Sequence, residues 1–453
     1  MVVVGAGLAG LACAGDLAAA GRSVLVLEAA SRIGGRVRSH RGADGSILEL
    51  GAQVVHDRTN PVWDRVDLGA DLKPFAVGDF QVLLGGHRYP LGALARTGLP
   101  PWGVVPALAA GAPAAPASVA GWLAGPGRAA GAVGREWVGQ EWAADPDRLS
   151  VPDLLTMATA TGFTGGEVRV AGGFDRIAAT LAVGLDVRCG SPVRELWIDR
   201  HDVMVRTDGS ITRAAAAVLA VPPWTIGSGG PIPVGLPADQ RRAAARLHGG
   251  DAVAAVLGIE SDLPVGPTGL TVFDADSGWG FVRARPGCRE IHVVAKGPGA
   301  ARFRADLAEP SGHRLATGLA ALFGVPIGPV ARLATADWGQ DPYVGGAFTA
   351  PTTGWSAAAR VWARPWDDRV YVAGESTAGT RGVGRVHGAL ASGHRAAHEL
   401  LTRSRSTAAA RRGSVASAEQ KGFSCATSDL PRRRTPAGTW PPPSTNSPAR
   451  SPR

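Results

Sequence analysis

The chain has little cysteine, almost no lysine, and no long uncharged stretch free of proline. Its four cysteines, Cys13, Cys189, Cys288 and Cys425, have no metal-binding or redox spacing. That excludes a disulfide framework or a zinc ribbon and fits a reducing, cytoplasmic compartment. No metal site is expected. Only three of the 47 basic residues are lysines: Lys73, Lys296 and Lys421. Arginine in that excess, with abundant Ala, Gly and Pro, is the composition of a GC-rich bacterial coding sequence. Residues 97–127 carry no charge, but Pro100, Pro101, Pro106, Pro113, Pro116 and Pro126 interrupt them. Short helices are expected there, without membrane contact. A strand that opens at Met1 leaves no place for a signal peptide ahead of it.

The net charge of +9 is unevenly spread. Residues 404–453 hold nine Arg/Lys against two Asp/Glu, which puts +7 there and +2 on the rest. This segment is rich in Ser, Pro, Ala and Arg and has no periodic apolar pattern. It reads as a disordered basic tail, and no specific nucleic-acid partner is expected. The remainder is long enough to bury a large core and exceeds one ordinary domain.

The opening residues have a clear physical logic. Met1 to Val4 suit a buried parallel strand. Gly5 permits a tight turn, Gly7 lets the backbone approach a pyrophosphate, and Gly10 lets a helix pack close to the strand. That helix should run from Leu8, past Ala9, to Ala20, with Gly21 as its stop. Its N-terminal amides favour phosphate. Ser23 to Leu27 is the next strand, and Glu28 and Ala29 follow it. A carboxylate there accepts both ribose hydroxyls and repels a 2′-phosphate. A second pair, Gly34-Gly35, is flanked by Arg32 and Arg36. Near the other end, Val370 to Ala373 is strand-like and leads into Gly374-Glu375. Val386-His387-Gly388-Ala389-Leu390 then opens a helix expected to end near Leu401. More than 330 residues separate these two halves of one site. A chain that returns at its end to complete its first domain is organised as an FAD oxidoreductase.

With the Arg32-to-Arg36 segment the chain resembles the flavin-containing amine oxidase superfamily, which also includes carotenoid desaturases and protoporphyrinogen oxidase. Glu49-Leu50-Gly51-Ala52-Gln53, with His56 and Asn60-Pro61 beyond, is similar to the polyamine oxidase branch. So is His387-Gly388-Ala389-Leu390 with Ser392-Gly393. The resemblance implies that Arg36 lies against the FAD pyrophosphate and that Gly51, Ala52 and Gln53 pass the flavin ring. It also implies an adenine contact near Val193, a ribityl contact at Glu375, and flavin contacts from Val386 and Ala389. His56 and His387 become candidates to orient or deprotonate an amine.

Departures from the family pattern are informative. The family's lysine near flavin N5 falls at Ala252, which puts rapid reaction with oxygen in doubt. Lys296 lies on another strand-like run and is expected to be solvated. Where some relatives carry a flavin-linking cysteine this chain has Ala347, so FAD should be non-covalent. Phe348 falls at one wall of the family's aromatic cage and Arg385 at the other, where an arginine suits a carboxylate or polar substrate.

The expected fold is α/β, or α+β overall. A discontinuous Rossmann-like FAD domain (1–65, 165–225 and 330–403) holds a twice-inserted substrate domain (66–164 and 226–329), with the tail at 404–453. The expected activity is oxidation of a small-molecule amine by hydride transfer to flavin N5, with oxygen or another acceptor closing the cycle. The alternative is a desaturase or isomerase acting on a hydrophobic non-amine. Oligomeric state is left open.

Overall fold

The computed structural model describes residues 1–421 except 57–59, 67–71, 75–77, 91, 94–117, 125–127, 161–167, 227–231 and 233–234. Most of the uncharged, proline-rich stretch therefore lies outside the described residues, as does the chain beyond Lys421. The chain forms two units, Met1–Arg403 and Ser404–Arg453.

The first unit is built on a five-stranded parallel sheet ordered Val370–Val372, Ala217–Leu219, Val2–Val4, Leu25–Leu27, Asp186–Arg188. Its strands come from the beginning, middle and end of the sequence. Val2–Val4 is central and buried along its length, which is why it reads as an unbroken apolar run. The first helix, Leu8–Ala19, packs tightly on the turn before it. A Cβ at Gly10 would collide with the Gly5 carbonyl oxygen. The last helix starts at Val386 and crosses the first where a Cβ at Gly393 would collide with the Ala9 carbonyl. Beside the sheet, Val193–Asp199, Asp202–Thr207 and Ile211–Ala214 form an antiparallel meander.

A seven-stranded sheet forms the other half of this unit. Its order is Val330–Asp337, Ala252–Ile259, Glu290–Lys296, Gly280–Ala284, Leu270–Asp274, Asp79–Leu84, His87–Pro90. Alternation along its strands divides the side chains between two faces. Val253, Ala255 and Leu257 pack with Phe303, Leu315 and Phe323 of the helices Pro298–Ala308 and His313–Phe323. Ala252, Ala254 and Val256 pack instead with Leu50, Trp338 and Ala347, residues of the motif-bearing segments.

Two features differ from the sequence reading. Val330–Asp337 pairs with Ala252–Ile259, so it belongs to the seven-stranded sheet and not to the dinucleotide-binding part. The last helix runs to Lys421, well past Leu401, so residues 404–421 are helical where a disordered tail was expected. Arg, Ala, Gln and Glu are good helix formers and no proline interrupts that stretch.

Candidate active site

The first turn leaves room for a ligand where the sequence calls for one. Gly5 has φ 100°, and a Cβ on it would lie 2.8 Å from the Ala220 oxygen. Gly7, the residue before the first helix, differs: a Cβ there meets nothing within 4 Å. Gly34 N–H donates to the Ala6 oxygen at 2.8 Å, and a Cβ on Gly35 would sit 3.3 Å from the Gly7 Cα. The second glycine pair thus closes over the first. Glu28 is buried, and its carboxylate accepts from Ala6 N at 2.7 Å and Ala30 N at 2.9 Å. Burial raises its pKa, and those two amides oppose the rise. One donor on each oxygen leaves lone pairs for ribose hydroxyls. Gly190 N–H reaches the Ala30 oxygen at 2.8 Å, which brings the segment leading to the buried Val193 beside Glu28. Ala29 is half-buried between these contacts.

The two halves of the site meet through one ion pair. Arg36 Nη1 donates to Glu375 Oε1 and to the Ala347 oxygen, both at 2.8 Å. Glu375 also accepts from Thr349 N at 3.2 Å and Thr349 Oγ1 at 3.1 Å, while its Oε2 takes Gly384 N at 2.7 Å. Three of its four donors fall on Oε1, so Oε2 retains accepting capacity for a ribityl hydroxyl. Gly374, at φ 125°, has only Ser376 Oγ near a Cβ position, at 3.9 Å. Its N–H donates to Ser392 Oγ at 2.9 Å. The open space at Gly7 and Gly374 and the remaining acceptors on Glu28 and Glu375 fit a dinucleotide cofactor.

The segment Glu49 to His56 touches Arg36 on one side and Arg283, His292 and Trp338 on the other. A Cβ at Gly51 would collide with the Arg36 carbonyl, and Ala52 N–H donates to that oxygen at 3.1 Å. Gln53 Oε1 accepts from Arg283 Nη1 at 2.8 Å. His56 Nε2 lies 2.9 Å from Arg385 Nη1. A guanidinium only donates, so this bond makes Nε2 the acceptor.

The opposite wall is the inner face of the seven-stranded sheet. Lys296 stands directly across the ladder from Ala252. It is half-buried, with its Nζ 5.8 Å from the Phe348 ring and 6.0 Å from the Phe281 ring, not solvated as the sequence reading held. The Arg283 guanidinium lies 5.9 Å from the same Phe281 ring. A Cβ on Gly384, next to Arg385, would be 3.3 Å from Phe348. Contacts run from Gln53 through Arg283, Phe281 and Lys296 to Phe348, which faces Gly384, the neighbour of the Arg385 that pairs with His56; this run of side chains is the circuit. Behind Phe281 stand Phe273, Trp137 and Phe80, with ring centroids 5.0–6.4 Å apart.

His387 has different contacts. It is buried, its Nε2 donates to the Arg381 oxygen at 3.1 Å, and Trp63 meets its ring edge-on at 6.3 Å. The structure therefore pairs His56 with Arg385, while His387 meets Arg381 and Trp63 at the start of the last helix. Val386 and Ala389 pack there against the core around the first helix. Sequence reasoning missed Arg283 and Trp224. Arg283 alternates with Phe281 on one strand, a period-two signal that places both on one face. Trp224 packs 5.8 Å from the Arg36 guanidinium and follows the Val221-Pro222-Pro223 turn.

The family model described as flavin containing amine oxidoreductase matches residues 8–123 and 126–401. The chain belongs to this family. A flavin is therefore its cofactor. Among solved structures, a triple mutant of putrescine oxidase is 25% identical, covers 89% of this chain and 98% of its own, and has TM-score 0.69. Cyclohexylamine oxidase from Brevibacterium oxydans IH-35A is 20% identical over 89% of this chain and 99% of its own, with TM-score 0.70. Among curated relatives, putrescine oxidase of Kocuria rosea is 56% identical over 55 residues, 12% of this chain and 11% of that protein. An L-amino-acid oxidase of Siganus canaliculatus is 43% identical over 81 residues, 17% of this chain and 15% of that protein. These curated matches thus span only a small part of either protein. Among the described residues, no helix of this amine oxidoreductase is long and apolar enough to cross a membrane.

Proposed function

We propose that the protein is an FAD-dependent amine oxidase. Bound FAD supplies a two-electron acceptor for the hydride on the carbon that carries the nitrogen. The chain supplies binding, orientation and proton transfer. Gly5, Gly7, Ala9 and Gly10 hold the pyrophosphate at the helix start, with Gly35 and Arg36 closing over it. Glu28, Ala29 and Val193 hold the adenosine half. Gly51, Ala52, Gln53, Gly374, Glu375, Val386 and Ala389 surround the flavin half. His56 accepts the proton that an ammonium substrate must lose, because only the neutral amine can release hydride. Phe348 orients the substrate beside Arg385. His387 holds the last helix in register.

The observation that carries this reading is the Arg36–Glu375 ion pair beside the Gln53-to-His56 circuit. On this reading the cofactor cradle and a polar substrate wall lie side by side. The names of the relatives share an amine or amino-acid substrate, which supports the same chemistry. Arginine and lysine side chains in the circuit disfavour a hydrophobic non-amine substrate. Ala347 bears only a methyl group, so FAD is held without a thioether and acid precipitation should release it. Cys13, Cys189 and Cys288 are free thiols, which suits a reducing cytoplasm.

The test is an anaerobic amine panel that follows loss of the flavin absorption band. Bleaching by at least one amine, with release of the corresponding carbonyl compound, is the expected result. A holoenzyme that photoreduction bleaches but no amine does would overturn the assignment.

A further inference from the structure

The amine-oxidase reading leaves the substrate class open, and the circuit narrows it. Arg283, Lys296 and Arg385 in it are all cationic. Arg385 sits against His56, and Arg283 sits against Gln53. Lys296 projects between the Phe348 and Phe281 rings. A diamine would bring two further positive charges to this wall. A guanidinium, by contrast, matches a carboxylate with two parallel N–H donors. The adjoining wall is apolar: Phe80, Trp137 and Phe281 are half-buried and form one aromatic cluster.

Resting on that reading, we infer that the substrate is an amine bearing a carboxylate and an apolar or aromatic side group, with the carboxylate held by Arg385. Binding then has a chemical consequence. The carboxylate competes with His56 Nε2 for the Arg385 N–H, so the anchored substrate exposes the lone pair that takes its ammonium proton. The reaction balances. R–CH(NH3+)–COO− gives one proton to His56 and one hydride to FAD, leaving R–C(=NH2+)–COO−. Water then converts this product to the 2-oxo acid and ammonium. The two electrons on the cofactor leave to oxygen or another acceptor.

Matched probes separate this claim from the broader one. Phenylalanine and phenethylamine differ only by the carboxylate, and phenylacetate carries the carboxylate without the amine. Phenylalanine should bleach the anaerobic holoenzyme about 10- to 100-fold faster than phenethylamine, the range expected for hydrogen bonds between charged groups. Phenylacetate should perturb the flavin spectrum of the resting enzyme and slow bleaching by phenylalanine. Arg385→Met should weaken phenylacetate about 10- to 100-fold, and Arg385→Lys should retain part of the affinity. Bound flavin in both variants shows that they fold. Bleaching by phenethylamine or putrescine but not by phenylalanine would overturn the carboxylate claim and leave amine oxidation standing. Unchanged phenylacetate affinity in flavin-loaded Arg385→Met would also overturn it. Arg385-dependent binding of phenylacetate, with no bleaching by any amine, would support the anion site and remove the oxidase reading instead.

Discussion

Glu49 ties Ser39 and the helix start at Phe174 to the seven-stranded sheet. Its carboxylate accepts from Ser39 Oγ at 2.7 Å and Phe174 N at 3.0 Å, while its carbonyl oxygen takes His292 Nε2 at 2.9 Å. Burial pushes the Glu49 carboxyl up from 4.5 to about 7. Burial, reinforced by Arg283, pushes the His292 imidazole down from 6.5 to about 3. The folded state then holds the extra proton on Glu49 as pH rises from 4.5 to about 7, so that group loses stability over this window. His292 works oppositely: the unfolded state binds the extra proton between about 3 and 6.5, so stability rises with pH there. The two partly cancel where the windows overlap. Glu49→Gln should therefore gain stability more steeply than the wild type between pH 4.5 and 6.5, by on the order of 2 kcal/mol across the window. Urea unfolding across pH measures this, and equal slopes would contradict it. At this scale the first turn and the buried acid after the second strand are legible in the sequence, because glycine spacing and the apolar runs specify them locally. Arg283 and Lys296 are not, because only the sheet register brings them to the site.

Two glycines of the first turn carry different burdens, and the contrast belongs to the strand–helix element. Gly10 is held against the Gly5 carbonyl, so a side chain there strikes protein. Gly7 faces open space, so a side chain there strikes only a bound cofactor. Gly7→Val should thus be folded, with far-ultraviolet circular dichroism like the wild type, but free of flavin. Gly10→Val should be destabilised even without flavin, by roughly 1–3 kcal/mol or more from overpacking. Flavin retained by Gly7→Val would remove the basis for the cofactor assignment. The parallel strands are legible as short apolar runs before glycines and acids. The seven-stranded sheet is not, since Asp79–Leu84 joins Leu270–Asp274 across a separation that no local pattern encodes. For the same reason the sequence shows Ala252 as the loss of a lysine, while the pairing shows Lys296 opposite it.

At the scale of the molecule, segments from both ends of Met1–Arg403 complete the parallel sheet, and the last strand, Val370–Val372, forms its edge. Deleting residues 404–453 should leave flavin content and amine-dependent bleaching intact. Loss of flavin from that truncated protein would show that the cradle needs the second unit. The central claim is hydride transfer from the carbon bearing the amine. Its most direct test is anaerobic stopped-flow bleaching of the holoenzyme by a reactive amine with hydrogen or deuterium at that carbon. The account predicts that deuterium slows bleaching by a primary isotope effect. Bleaching at the same rate with both isotopologues, while dissociation of the amine stays fast, would contradict it.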